Sequence, residues 1–209
     1  MKLDSWYDLA MAPLEKGLLV AYRELVLGRA VGRVLELGAG TGSNLAFYPS
    51  AKVRPAASEG GSDSSGEARL CLTLSDMEVS PLLSERAAAH SRSIPVAANV
   101  EDLPFPDASF ETVVATLLFC SVPNPLAGYR EIRRVLAPGG RYLFIEHVLS
   151  HCRTLAKAQV GLTPAWRRLA GGCRLDRDSV GAMEGAGFRT TILARSPCGL
   201  IVAGEAVVA

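Results

Sequence analysis

The stretch Val34-Leu35-Glu36-Leu37-Gly38-Ala39-Gly40-Thr41-Gly42-Ser43-Asn44 limits what this chain can fold into more than any other segment. An apolar run passes straight into three glycines at alternate positions, and a helix-compatible segment opens near Asn44. Glycine has no Cβ, so such a loop can turn sharply and bring its backbone close to a ligand. The pattern predicts a cofactor loop after a first strand, against the plainer alternative of a tight turn with no ligand.

Spacing and one charge narrow the choice of cofactor. A dinucleotide fingerprint needs glycines at relative positions one, three and six, whereas here they fall at one, three and five, and Ser43 takes the sixth place. Glu36 would face a pyrophosphate unfavourably. S-adenosylmethionine carries no phosphate and has an ammonium at its methionine end, which a carboxylate at the strand end suits. The E-x-G-x-G-x-G phrase resembles motif I of the class I S-adenosylmethionine-dependent methyltransferases. A catalytically silent module of the same fold and a dinucleotide oxidoreductase are the competing readings, and the glycine spacing and Glu36 argue against the second.

Residues 5–29 read as helix in two pieces divided at Pro13, because an interior proline removes a hydrogen bond and clashes with the preceding turn. The resemblance implies lid helices here, with Tyr7 as a substrate contact; Trp6 and Tyr7 as ordinary packing residues is an equal alternative. Leu45 to Tyr48 continue a short helix closed by Pro49. Residues 54–69 are polar and rich in serine and glycine, which predicts a flexible surface insertion within a single domain spanning 1–209. The apolar pattern resumes at Leu70 to Leu74, a second strand ending near Asp76. A carboxylate at that end can accept hydrogen bonds from both ribose hydroxyls of an adenosine ligand; Asp76 is the better placed candidate and Glu78 the fallback. Pro81 to His90 reads as helix.

Ile94 to Ala98 form a third strand, and the following Asn99-Val100-Glu101-Asp102-Leu103-Pro104-Phe105-Pro106-Asp107-Ala108-Ser109-Phe110-Glu111 resembles the methyltransferase phrase G-D-A-E-x-L-P-F-x-D-x-S-F-D. The resemblance implies that Asn99 takes the place of the acid that bonds the adenine amino group. Val100 supplies a backbone amide and apolar contact, and Glu101 follows. An Asn carbonyl oxygen can still accept from an amino group. Thr112 to Leu118 is a continuous apolar run, as in a buried parallel strand. Ligands of open α/β sheets sit outside the carboxyl ends of the strands, so Thr116, Leu117 and Phe119 are expected to line the pocket.

Pro125 to Leu136 is an amphipathic helix, Pro138-Gly139-Gly140 a turn, and Arg141 to His147 a fifth strand; the whole string again resembles this superfamily. Cys152 to Leu169 reads as helix broken near Pro164, and Asp178 to Gly185 as another. Phe188 to Leu193 and Leu200 to Ala206 read as two strands of a closing hairpin. Seven strands alternating with helices predict a doubly wound α/β/α sandwich, its sheet mostly parallel and ending in an antiparallel hairpin, the Rossmann-like methyltransferase fold.

The formal charge is +1 with no strong basic cluster, so no nucleic-acid partner is expected and a small-molecule acceptor is favoured. Five widely spaced cysteines without a C-x-x-C pair, and no secretory signal, predict free thiols in a reducing, cytoplasmic setting. No apolar run is long enough for a transmembrane helix, which leaves peripheral membrane contact and the oligomeric state open.

The expected cofactor-binding residues are Glu36, Gly38, Ala39, Gly40, Gly42 and Asn44 of the loop, Asp76 and Met77, then Asn99, Val100 and Glu101, then Thr116 and Leu117. Methyl transfer from a sulfonium is an in-line displacement, so the protein must chiefly align the reactants, exclude water and, where needed, remove a proton. His147 is the candidate general base, with a structural role at the strand end as the alternative. His147 and His151 lack H-E-x-x-H order, and no metal is expected. The second half of the chain, including Glu146-His147-Val148, Pro164-Ala165-Trp166 and Gly172-Cys173-Arg174-Leu175, resembles the methyltransferase branch that contains the alkyl thiol methyltransferases. That implies a thiol acceptor, with phospholipid and quinone methylation as alternatives. Trp166 and Cys173 would either line the acceptor pocket or pack the core.

Overall fold

The computed structural model describes residues 15–49, 71–90 and 93–209. A π-helical turn, Glu15–Leu19, runs into helix α1 (Val20–Leu27). Then come β1 (Arg33–Leu37), a 3₁₀ turn (Leu45–Phe47), β2 (Cys71–Asp76), α2 (Pro81–Ala89), β3 (Ser93–Ala97) and β4 (Phe110–Thr116). The second half is α3 (Pro125–Val135), β5 (Leu136–His147), α4 (Arg153–Leu169), α5 (Ser179–Gly185), β6 (Phe188–Arg195) and β7 (Ile201–Val208). Tyr7, with residues 5–14 of the expected lid, and the 54–69 insertion lie outside the described residues.

The strands form one sheet in the order β3-β2-β1-β4-β5-β7-β6. The first five run parallel, while β7 is antiparallel to both β5 and β6. This is the doubly wound, mostly parallel sheet with an antiparallel end that the sequence predicts. Period-two alternation divides the core. Val34, Val114, Leu143 and Ile145 face α1 and α2, whereas Leu35, Leu37, Val113, Tyr142 and Phe144 face α3 and α5. Glu36 follows the same alternation and points, with Val34, to the α1 side.

Local chemistry fixes the helix ends. Ser80 caps α2 by accepting the Leu83 N–H, with Pro81 in the first turn. Asn124 accepts the Ala127 N–H ahead of Pro125 in α3, and Asp178 accepts the Gly181 N–H of α5. Arg134 ties α3 to the preceding loop by donating to the carbonyls of Phe105 and Leu103, at 2.7 and 2.9 Å, and to Asp107 and Glu131.

Three expectations about elements need correction. Helix α4 is continuous through Pro164. That proline lies on the exposed side of the helix, where water can take the carbonyl its missing N–H releases. Strand β5 begins at Leu136, so the Pro138-Gly139-Gly140 turn becomes an irregular strand opening, with a register shift opposite Phe110 and Thr112. Strand β4 stops at Thr116, two residues early, because Leu117 adopts φ +53°.

Candidate functional site

The strand order reverses between β1 and β4, and the carboxyl ends of these two strands carry the site. The glycine loop leaves β1 with Gly38 at φ +66°. A Cβ there would stand 2.8 Å from Leu118 Cδ1, so glycine admits the close approach of the β4 end. Neighbours hold the loop: the Ala39 N–H donates to the Ser75 carbonyl at 3.0 Å, and the Gly40 N–H to Asp76 Oδ2 at 2.8 Å. Arg86 donates to the Thr41 carbonyl at 2.8 Å. Gly42 lies on the outer side of the loop, packed towards Leu45 and Leu83.

Beneath the loop, Glu36 is only 1% exposed. Its Oε2 accepts the Tyr48 hydroxyl at 2.7 Å and its Oε1 accepts Asn44 Nδ2 at 3.0 Å. Asn44 Nδ2 also donates to Thr116 Oγ1 at 2.9 Å, and Asn44 Oδ1 accepts Arg23 Nε at 2.9 Å. Burial raises the Glu36 carboxyl to about 7, opposed by the Tyr48 and Asn44 hydrogen bonds and by Arg23. Both carboxylate oxygens are thus engaged within the protein. Glu36 and Asn44, expected as cofactor contacts, lie in a buried network that joins α1, the loop and the end of β4.

A cleft of about 240 Å³ opens on the other side of the loop, between Gly38, Asp76, Met77, Asn99, Val100 and Leu118. Glu101 also reaches it. Asn99 Oδ1 accepts the Glu101 N–H at 3.0 Å, and Glu101 Oε1 accepts the Asn124 N–H at 2.9 Å. The cleft therefore has a carboxylate at one end, an amide and a half-buried valine at the other, and a glycine between, a donor set that fits an adenosine. Ala39 and Gly40 brace this wall through Ser75 and Asp76, whereas Thr116 belongs to the Glu36 network through Asn44.

An apolar cavity of about 390 Å³ lies across the β4 end. Leu117, Cys120, His147, Trp166, Cys173 and Leu200 contribute to it, and its lining among the described residues carries no carboxylate, lysine or arginine. The left-handed φ of Leu117 is uncommon for a residue with a Cβ, and such strain recurs at functional sites. Here it turns the chain so that Leu117 faces the apolar cavity while Leu118 faces the cleft. Leu117, expected among the cofactor contacts, thus lies on the cavity side. Phe119 is corrected from substrate contact to core: it is fully buried and stacked on Tyr129 with ring centroids 4.1 Å apart. Trp166 and Cys173 both line the cavity, Cys173 as a buried residue.

His147 reaches the cavity with Nδ1 buried and without a hydrogen-bond partner, and burial lowers its pKa below 6.5. Its neighbour Glu146 is fully buried on the opposite face of β5 and accepts the Phe119 N–H at 3.1 Å. Burial raises Glu146 to about 8, against backbone N–H groups of Phe119, Leu118 and Cys120. It holds the turn after β4. Sequence reasoning missed Tyr48, Cys120 and the Ser196–Ile201 segment; a tyrosine hydroxyl four residues beyond Asn44 is the one readable signal among them.

A family model described as a methyltransferase domain matches residues 35–144, the span from β1 through most of β5. The chain belongs to this family. This methyltransferase-family chain is 38% identical over 156 residues to human thiol S-methyltransferase TMT1A, covering 74% of its own length and 59% of that protein. It is 36% identical over 172 residues to human thiol S-methyltransferase TMT1B, covering 80% and 65%. The chain therefore spans less than two thirds of these relatives. The fold matches that of the YcgJ protein from Bacillus subtilis with a TM-score of 0.62 at 17% identity, covering 90% of this chain and 94% of that one. No helix among the described residues is long and apolar enough to cross a membrane.

Proposed function

We propose that this chain transfers a methyl group from S-adenosylmethionine to a small apolar thiol. The observation that carries the reading is the pair of chambers divided by Leu117 and Leu118: a polar cleft at the switch point, and an apolar cavity containing a histidine. Asp76 would hold the ribose hydroxyls, and Asn99 and Val100 the adenine. Gly38 would give the close backbone approach, and the Glu36, Tyr48 and Asn44 network would keep the loop in place. When bound, S-adenosylmethionine supplies a methyl group already activated on a sulfonium. The chain's own residues orient the acceptor and exclude water from it. His147 is largely neutral near pH 7, and a neutral imidazole can take the thiol proton. A lining that carries no carboxylate among the described residues favours an uncharged thiol over a cationic head group, and the likeness to the two thiol S-methyltransferases supports the same choice.

The test follows S-adenosylhomocysteine release over alkyl and aryl thiols, phenols, amines, quinols and phospholipid head groups. Turnover concentrated on the thiols is expected. Turnover on amines, quinols or phospholipids alone would overturn the acceptor assignment. Binding of S-adenosylhomocysteine with no turnover on any class would identify a silent module.

A further inference from the structure

Four of the five free cysteines fall in two neighbouring pairs, Cys120 with Cys173 and Cys152 with Cys198. Cys120 and Cys173 both line the apolar cavity, alongside His147 and Trp166. The backbone sets their contact. The Arg174 N–H donates to the Cys120 carbonyl at 2.9 Å, and the Cys173 N–H donates to the Ala170 carbonyl at 3.0 Å. The turn after α4 is thereby pinned to the turn after β4.

The two thiols have different surroundings. Cys173 neighbours Cys120 and Trp166 and lies near the Arg177 guanidinium, which also donates to the carbonyls of Phe119 and Val122, while Cys120 Sγ donates to the Leu117 carbonyl at 3.4 Å. The neighbouring Cys120, with Trp166 and Arg177, lowers the Cys173 thiol against the effect of its burial. The pairing with Cys173 and burial push Cys120 up. A lowered thiol beside a raised one in the same cavity is the division of labour between an attacking and a resolving cysteine.

We propose that Cys120 and Cys173 form a dithiol–disulfide exchange site that reduces small apolar disulfides entering the cavity. The choice of an apolar disulfide rests on the acceptor reading above, since such a molecule is the oxidised dimer of a thiol the cavity would take. The Cys173 thiolate attacks one sulfur of RSSR, a Cys173–SR bond forms, the S–S bond breaks and RS⁻ leaves. Cys120 passes its proton to the departing thiolate. Its own thiolate then attacks Cys173 Sγ, forming the Cys120–Cys173 bond and releasing the second RS⁻. The disulfide gains two electrons and the protein dithiol loses two, and an external dithiol reductant resets the site.

The experiment mixes the reduced chain, freed of reductant, with dipyridyl disulfide in the absence of S-adenosylmethionine. Thiopyridone release, intact mass and peptide mapping are followed. Two thiopyridones per disulfide consumed, a protein lighter by two hydrogens, and a Cys120–Cys173 cross-link are expected. Cys120→Ser should stop at one thiopyridone and a stable adduct on Cys173, whereas Cys173→Ser should slow release about tenfold or more. A cross-link at Cys152–Cys198 instead, or adducts spread over the cysteines with Cys173 unmodified, would overturn the proposal. Stabilisation by S-adenosylhomocysteine checks that each variant is folded. Should a variant not fold, the cross-link map of the unaltered chain decides. Because no methyl donor is present, failure of exchange and failure of thiol methylation are read separately.

Discussion

Replacing Glu36 by glutamine tests the central electrostatic feature of the site. Glutamine keeps the shape, can still accept from Asn44, and can donate to the Tyr48 hydroxyl, so both hydrogen bonds survive while the titrating proton disappears. In the folded chain Glu36 titrates near 7, against 4.5 for a free glutamate. Between those values the folded state holds a proton that the unfolded state has released. Stability from this group is therefore fully present below pH 4.5 and is lost as pH rises through about 7. Each pH unit in that window is worth about 1.36 kcal/mol, so the window amounts to at most about 3 kcal/mol. Urea unfolding of both proteins at half-unit steps from pH 4.5 to 8 measures the difference. Glu146, raised to about 8, contributes a decline of the same sign in both proteins and cancels on subtraction. The glutamine variant should gain on the parent as pH rises, then run parallel above about pH 7. Parallel curves throughout would refute the buried, raised carboxyl. The same variant decides how Glu36 serves the cofactor: S-adenosylhomocysteine affinity within about threefold of the parent fits a loop-holding role, whereas its loss would restore direct contact with the ammonium.

Three further outcomes follow from the same geometry. Gly38→Ala places a Cβ against Leu118 at a positive φ, and should cost about 1–2 kcal/mol of stability and weaken S-adenosylhomocysteine binding at least tenfold by calorimetry. His147→Gln should lower kcat/KM for an alkyl thiol by about 100-fold and remove the limb of the pH–rate profile that falls below pH 6.5. An unchanged profile would mean that the thiol arrives already ionised. Arg134→Ala removes donors to two backbone carbonyls and two carboxylates, and should lower unfolding free energy in urea by about 1–3 kcal/mol while leaving S-adenosylhomocysteine affinity intact.

Legibility along the chain followed the range of the interactions involved. The cap at Ser80 with Pro81, the apolar run of β4 and the amphipathic α3 are local patterns, and each element lies close to where its residues predict it. Asp76, Asn99 and Val100 sit at strand ends or just after them, and the sheet brings all three to one cleft. Pro164 misled because the cost of an interior proline depends on which side of the helix it occupies, and that side is set by packing. Phe119 misled because a residue just past a strand end can turn either outward to a ligand or inward to a core; Tyr129, ten residues on, draws it inward.

By itself the sequence determined the sheet, the glycine loop and the acid at the rim of the cleft, since strand alternation, glycine spacing and the end of β2 are fixed by residues close together in the chain. Only the tertiary structure decided what holds Glu36, because its partners Asn44 and Tyr48 return to it through the loop, and Thr116 reaches Asn44 from a different strand. It alone built the apolar cavity, where Leu117, His147, Cys173 and Leu200 meet from separate segments. The division between cleft and cavity rests on one backbone angle at Leu117, which no side-chain pattern encodes and which packing against β5 holds through the bond from its N–H to the Ile145 carbonyl at 2.7 Å.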